Sequence, residues 1–204
     1  MRLVSWQRLS TQVVIMQVAI LVITMVAGFA IFQWNLKRQL YGQYEQRSLM
    51  LAETLASQPS IVDAVVDGQP GGEAQRLAMA ARHRTGALFV VITNARGIRY
   101  SHPHPWMIGL PVQDDPEPPA SESFRTGKPW MGIQQGTLGL VAAGKTPLWD
   151  GPRLVGEVSV GFWAGKVSRQ LASTLPSLAI YLLGVLAVGV LAALGLARRL
   201  KRQT

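Results

Sequence analysis

Residues 87–102 read Ala87-Leu-Phe-Val-Val-Ile-Thr-Asn-Ala-Arg-Gly-Ile-Arg-Tyr-Ser-His102. The branched and aromatic side chains from Ala87 to Thr93 suit a pleated, half-buried strand. Asn94-Ala95-Arg96-Gly97 supplies turn residues, and Ile98 to His102 resumes extended chain, so the stretch predicts a β-hairpin. It also marks where the chain changes texture. Upstream, Leu36, Leu40, Tyr44, Leu51 and Leu55 recur at intervals near four or seven with charges around the rest of the cylinder, the pattern of an amphipathic helix. That helix should stop before Pro59, because the residue preceding a proline is pushed out of the helical region. Ser60 to Val66 and Glu73 to Arg84 read as two further helices around the loop Asp67-Gly68-Gln69-Pro70-Gly71-Gly72. Downstream, a loop rich in proline and acid, Gln113 to Pro119, leads to a short helix near Ser121 to Arg125. Three strands follow: Pro129 to Gln135, Leu138 to Pro147 and Arg153 to Phe162. Helices followed by strands that connect mostly by hairpins predict an α+β fold, with helices layered on an antiparallel sheet.

Two uncharged apolar runs flank this region, Val13 to Gln33 and Pro176 to Ala197. A bilayer core about 30 Å thick needs about 20 apolar residues of helix, and each run supplies them. The first is too long for a cleaved signal peptide, whose apolar stretch is about 7–15 residues, and it ends in Phe32-Gln33-Trp34 without a small-residue cleavage site. The reading is therefore a cytoplasmic N-terminus (1–12), a first transmembrane helix (13–33), an extracytoplasmic domain (34–175), a second transmembrane helix (176–197), into which Lys166 to Thr174 leads helically, and a basic cytoplasmic tail (198–204). Orientation follows from Arg2 and Arg8 at one end and Arg198, Arg199, Lys201 and Arg202 at the other, with no acid at either. Trp6, Trp34 and Tyr181 fall near span ends, where aromatic belts lie.

The formal net charge of +9 then loses its obvious meaning. Six of the twenty basic residues are topological anchors, and the remaining fourteen share the outer domain with all eleven acids. This balance does not call for nucleic acid. With no cysteine, nothing suggests a disulfide framework or a thiolate metal site. His83, His102 and His104 have no HExxH-like spacing, and the proline after each of the last two points to a loop, so neither metal nor cofactor is expected.

The segment Arg96-Gly-Ile-Arg-Tyr-Ser-His-Pro-His-Pro-Trp-Met-Ile-Gly109 carries a resemblance. Its Gly97, Arg99, His102, Pro105, Ile108 and Gly109 match a Gly-x-Arg-x-x-His step followed by a Pro-x-x-Ile-Gly turn. Gly136-Thr-Leu-Gly139, Gly144-Lys-Thr-Pro147 and Val155-Gly-Glu-Val-Ser-Val-Gly161 match later strands in order. The chain resembles the N-terminal sensor region of the citrate and C4-dicarboxylate (fumarate) sensor histidine kinases, over residues 34–175 and the flanking spans. The resemblance implies a PAS-like (PDC-type) domain, a homodimer in the bacterial cytoplasmic (inner) membrane, and a site for a small carboxylate built from Arg99, His102, Thr137, Leu138, Gly139, Lys145 and Ser159. The chemistry suits such a ligand. A hydrated carboxylate must exchange its water for charge-assisted donors, and guanidinium, ammonium, imidazole, hydroxyl and free backbone N–H groups provide them. Residues three apart on a regular strand face opposite sides, so Arg99 and His102 share a pocket only if the strand twists or ends between them.

One position departs from the pattern. Where the family typically has an arginine two residues before the pocket lysine, this chain has Ala143. A charged hydrogen bond is worth about 1.5–3 kcal/mol, so a dicarboxylate would bind about tenfold to a hundredfold more weakly. Either the ligand carries fewer acid groups, or Arg125 or Lys128 reaches in, or the domain no longer senses carboxylates. The expected function is the sensor region of a two-component histidine kinase, passing a signal from the last strand into the second span. The residues to Thr204 hold no nucleotide-binding or phosphoacceptor motif, so no enzyme activity is expected of this chain. The alternatives are the sensor part of a chemoreceptor or cyclic-dinucleotide enzyme, and a non-sensing membrane scaffold that binds protein through Trp106, Trp130 and Trp149.

Overall fold

In the computed structural model, which describes residues 3–112, 122–136, 139–164, 180–181, 183–189 and 191, the chain opens with one long helix, α1 (Leu3–Ala56). The chain divides into two units, one of residues 1–37 and 169–204 and the other of residues 38–168. In the first unit, the apolar side chains of α1 from Ile15 to Phe32 are mostly exposed. Among the described residues this is the one helix long and apolar enough to cross a membrane. Of the expected second span, residues 180–181, 183–189 and 191 are helical, with Ile180, Leu183, Val188 and Leu191 exposed. The remainder, and the expected lead-in Lys166 to Thr174, lie outside the described residues.

The second unit layers helices on a sheet. α2 (Pro59–Val66) starts with proline at its first position, where the missing N–H costs no hydrogen bond. α3 (Gly72–Thr85) ends at Gly86, whose φ of 71° gives a left-handed cap and whose N–H bonds Arg82 O. The strands are β1 (Phe89–Asn94), β2 (Arg99–Ser101), β3 (Trp130–Gly136), β4 (Gly139–Asp150) and β5 (Arg153–Trp163). All described pairings are antiparallel, in the order β2-β1-β5-β4-β3. A 3-10 turn (Pro105–Met107) follows β2, and α4 (Glu122–Thr126) precedes β3. The predicted α+β class and antiparallel sheet are what the chain adopts. The sheet's order differs from its chain order because β5 returns to the centre between β1 and β4.

Val90, Ile92, Val158 and Val160 form one face of the sheet and pack with Ala52, Leu55, Ile61, Val65, Ala74 and Ala78 of the helices. The buried stripe of α1 differs from the one expected. Leu51, Leu55 and Tyr44 do reach the core, but the closest approach is made by the small residues Ser48 and Ala52, both fully buried. A Cβ on Gly144 of β4 would stand 2.2 Å from Leu49 N, so the α1 backbone lies directly on a glycine. The Ser48 hydroxyl sits 2.8 Å from both Ala142 O of β4 and Tyr44 O of its own helix, and its single proton can serve either.

β4 runs three residues past the expected end at Pro147. Its pairing with β3 stops at Lys145, opposite Trp130, so Pro147 is paired with β5 alone and its missing N–H breaks no ladder.

Candidate functional site

The strand registers define the face opposite α1, α2 and α3. Arg99 lies beside Thr93, Thr93 beside Glu157, and Glu157 beside Pro147, across β2, β1, β5 and β4. Two residues along, Val91 lies beside Ser159, Ser159 beside Lys145, and Lys145 beside Trp130 of β3. Since side chains alternate along a strand, both rows point to the same side on β1, β5 and β4; the β1–β2 register shifts between Ile92 and Thr93, and Arg99 points away from the helix-packed core that holds its neighbour Tyr100. Arg99, Lys145 and Glu157 are 1%, 3% and 6% exposed. Three ionisable side chains removed from water on one sheet face are costly unless matched by partners, which makes this face the candidate site.

Arg99 is built into this face from both ends. Asn94 Oδ1 accepts from the N–H groups of Arg96 and Ile98, closing the hairpin, and Gly97 takes a φ of 74° that a side chain would resist. The 3-10 turn and Gly109 (φ 82°) then reverse the chain, so that Gly109 N–H bonds Arg99 O and Arg99 N–H bonds Leu110 O. The Arg99 guanidinium donates through Nη1 to Pro111 O at 2.8 Å. The Gly-x-Arg and Ile-Gly parts of the motif thus anchor a loop along the edge strand. His102 lies just past the end of β2. Its backbone N–H and C=O both bond the Gln75 side-chain amide of α3, at 2.9 and 3.0 Å. Its Nδ1 accepts from His104 N–H at 3.0 Å, which puts the ring proton of the neutral form on Nε2, and His104 stacks on Trp106. The strand does end between Arg99 and His102, as a shared site would require.

Of the other expected residues, Lys145 and Ser159 are direct neighbours across β4 and β5, and Ser159 is half-buried. The Lys145 ammonium lies 5.5 Å from the Trp130 ring centre. Gly139 opens β4 opposite Gly136. Thr137 and Leu138 lie outside the described residues. Ala143 shares the face, in a row with Phe89, Gly161 and Gly132. The Phe89 ring occupies the space above Gly161, 2.3 Å from where a Cβ would be, and the Trp130 ring covers Gly132 in the same way at 2.8 Å. The place of the expected second clamp is therefore apolar and aromatic.

Glu157 has no place in the set expected from the sequence. Ser159 was named from the same strand, and alternation alone puts Glu157 on its face, opposite the core residues Val158 and Val160. Burial pushes its carboxyl up to about 7 from the usual 4.5. The Lys145 cation opposes this, followed by the Phe124 N–H and the Ser123 hydroxyl of α4. These α4 groups stand close enough to favour the charged form, yet neither Ser123 Oγ nor Glu157 Oε2 completes a hydrogen bond among the described residues. The described residues contain no group of three or more His, Cys, Asp or Glu able to hold a metal ion.

The sequence profile of the single cache domain 3 family (sCache_3_2) matches residues 35–176. The sensor protein CitS of Halalkalibacterium halodurans is 28% identical over 190 residues, 92% of this chain and 35% of that protein. The sensor histidine kinase DcuS of Escherichia coli is 28% identical over 165 residues, 80% of this chain and 30% of that protein. The chain thus spans about a third of the length of these relatives. The crystal structure of the E. coli DcuS sensor domain superposes with a TM-score of 0.56 at 26% identity, covering 65% of this chain and 97% of that domain. The sensor domain of the Vibrio cholerae histidine kinase DctB superposes at 0.52 with 11% identity, over 70% of this chain and 59% of that one, and shares the fold. The resemblance read from the motifs is thereby borne out for the sensor region.

Proposed function

The chain belongs to the single cache domain 3 family, and from that premise we propose that it is the membrane-bound sensor region of a two-component histidine kinase that binds a small carboxylate outside the cell. The observation that carries the reading is two buried cations on the sheet face away from α1, α2 and α3: Arg99, fixed on β2, and Lys145, beside Ser159 on β4 and β5. Buried ammonium and guanidinium groups on one face favour an anion that arrives with its own acceptors. Two membrane crossings with both ends in the cytoplasm belong to the same proposal, as do the inner membrane of a bacterium and a homodimer. Binding would displace β5, which carries Ser159, and the displacement would pass along the chain after Trp163 to the second crossing.

The test is a thermal-shift screen of the full chain in lipid nanodiscs, with small carboxylic acids that do and do not carry amino groups. A ligand at 100 times its Kd adds about 2.7 kcal/mol of stability. A shift that Lys145→Gln removes supports the site. No shift with any acid, or one that survives Lys145→Gln unchanged, sinks it.

A further inference from the structure

Beyond a carboxylate in general, we infer that the site takes a zwitterion, an amino carboxylate whose ammonium sits on Glu157 while its carboxylate lies toward Lys145. This rests on the sensor reading above and narrows its ligand. Glu157 is 6% exposed and stands one residue pair away from Lys145 along the sheet. Its Oε2 accepts no hydrogen bond among the described residues, so the carboxylate has acceptor capacity left within the site. The Lys145 cation acts on this carboxyl from the neighbouring strand, and Oε2 still has acceptor capacity beside it.

The rows set the geometry. Glu157 and Lys145 sit diagonally on neighbouring strands, a Cα separation of about 7–8 Å, which leaves room for a molecule carrying its two charges a few ångströms apart. The next row, Phe89, Gly161, Ala143 and Gly132 with Trp130 above, is apolar. It takes the ligand's side chain.

The groups acting on Glu157 are Lys145 from β4 and the Phe124 N–H and Ser123 hydroxyl from α4; Arg99 lies two strands away in the same row, beyond Thr93. With its carboxyl titrating at about 7, Glu157 is largely protonated at pH 6, and an arriving ammonium must displace that proton.

The experiment is calorimetric titration of the full chain in nanodiscs with matched pairs, L-leucine against 4-methylpentanoate and L-aspartate against succinate, in wild type and Glu157→Gln. In at least one pair the amino acid is expected to bind about tenfold or more tightly than its desamino partner. At pH 6 its binding should release a proton, read as a dependence of the heat on the buffer. Glu157→Gln should abolish both the preference and the proton release while still binding the desamino acid, which shows that the variant is folded. If the desamino acids bind as well as or better than the amino acids in both pairs, or if Glu157→Gln keeps the preference, the zwitterion inference is overturned and the carboxylate sensor stands. If no acid binds, or if 3-methylbutylamine, which has no carboxylate, binds as tightly as L-leucine, it is the carboxylate reading itself that fails.

Discussion

Replacing Glu157 with Gln removes a charge while keeping the shape of the protonated carboxyl, and the stability of the chain measured without ligand should respond with a defined pH dependence. In the folded chain the carboxyl titrates at about 7, against 4.5 ordinarily, because burial disfavours its charged form more than Lys145 and the α4 groups favour it. Between those two values the native state holds a proton that the unfolded chain has lost. The associated stability is therefore complete below about pH 4.5, falls as pH rises, and is gone above about pH 7. Each pKa unit is worth about 1.4 kcal/mol, so the loss amounts to about 3 kcal/mol. Gln does not titrate and keeps the low-pH packing. Glu157→Gln should match wild type near pH 4.5 and exceed it at pH 8 by about 3 kcal/mol, or about 10 °C in Tm for a domain of this size. Tryptophan-fluorescence melts of the ligand-free chain in nanodiscs, from pH 4.5 to 8, measure this directly. The reasoning is refuted if both proteins show the same pH profile, or if the variant is the less stable one at pH 8, since either result would mean a carboxylate already satisfied in the empty protein.

Gly144→Ala places a Cβ against the backbone of Leu49 and should destabilise the domain by about 3 kcal/mol, seen as a lower Tm. Ser48→Ala removes one hydroxyl hydrogen bond at the same contact and should cost only about 1 kcal/mol, so a larger loss there would mean that the hydroxyl carries the helix–sheet contact. Arg99→Lys keeps the charge but loses the Nη1 bond to Pro111 O, and should cost about 1.5–3 kcal/mol in denaturant melts and increase amide exchange over residues 109–112. Gly97→Ala forces a side chain into a left-handed turn and toward Val112 Cγ2, 3.2 Å from the added carbon, at about 1–2 kcal/mol, with the same exchange readout.

Where hydrophobic period and turn chemistry agree, as from Ala87 to His102, the sequence was enough to read the strands, the turn and the antiparallel pairing. It was less informative where the deciding quantity is distance. The approach of α1 to β4 depends on residues that lack bulk, Ser48, Ala52 and Gly144, whereas a periodicity argument looks for large apolar side chains and so selected Leu36 and Leu40. The end of β4 was misread because Pro147 looks like a breaker until it is known that β3 has already stopped at Trp130. Arg99, Lys145 and Ser159 are expected from the resemblance to carboxylate sensors, and that pattern has no slot for an acid. Glu157 was legible by alternation from Ser159, but nothing in one strand reveals that the residue would be buried. Burial depends on α4 packing over β4 and β5, a contact between segments far apart in the chain.

The two outstanding features of β4 are adjacent in sequence, and that adjacency bears on how a sensor of this form would work. Lys145 faces the proposed ligand, while Gly144, one residue before it, faces the other way and carries the backbone of α1. Neighbouring residues of a strand project from opposite faces, so a ligand that draws Lys145 toward itself also moves the surface on which α1 rests. At that contact there is no side chain to bend, only backbone against backbone, with the Ser48 hydroxyl beside it. Interiors packed to this density transmit small displacements, because the neighbouring atoms have no free volume into which to yield. Under the proposed function, β5 is then one of two outlets for the signal. The other is α1 itself, the element that runs without interruption from Ala56 back to Leu3 and contains the apolar segment suited to a bilayer.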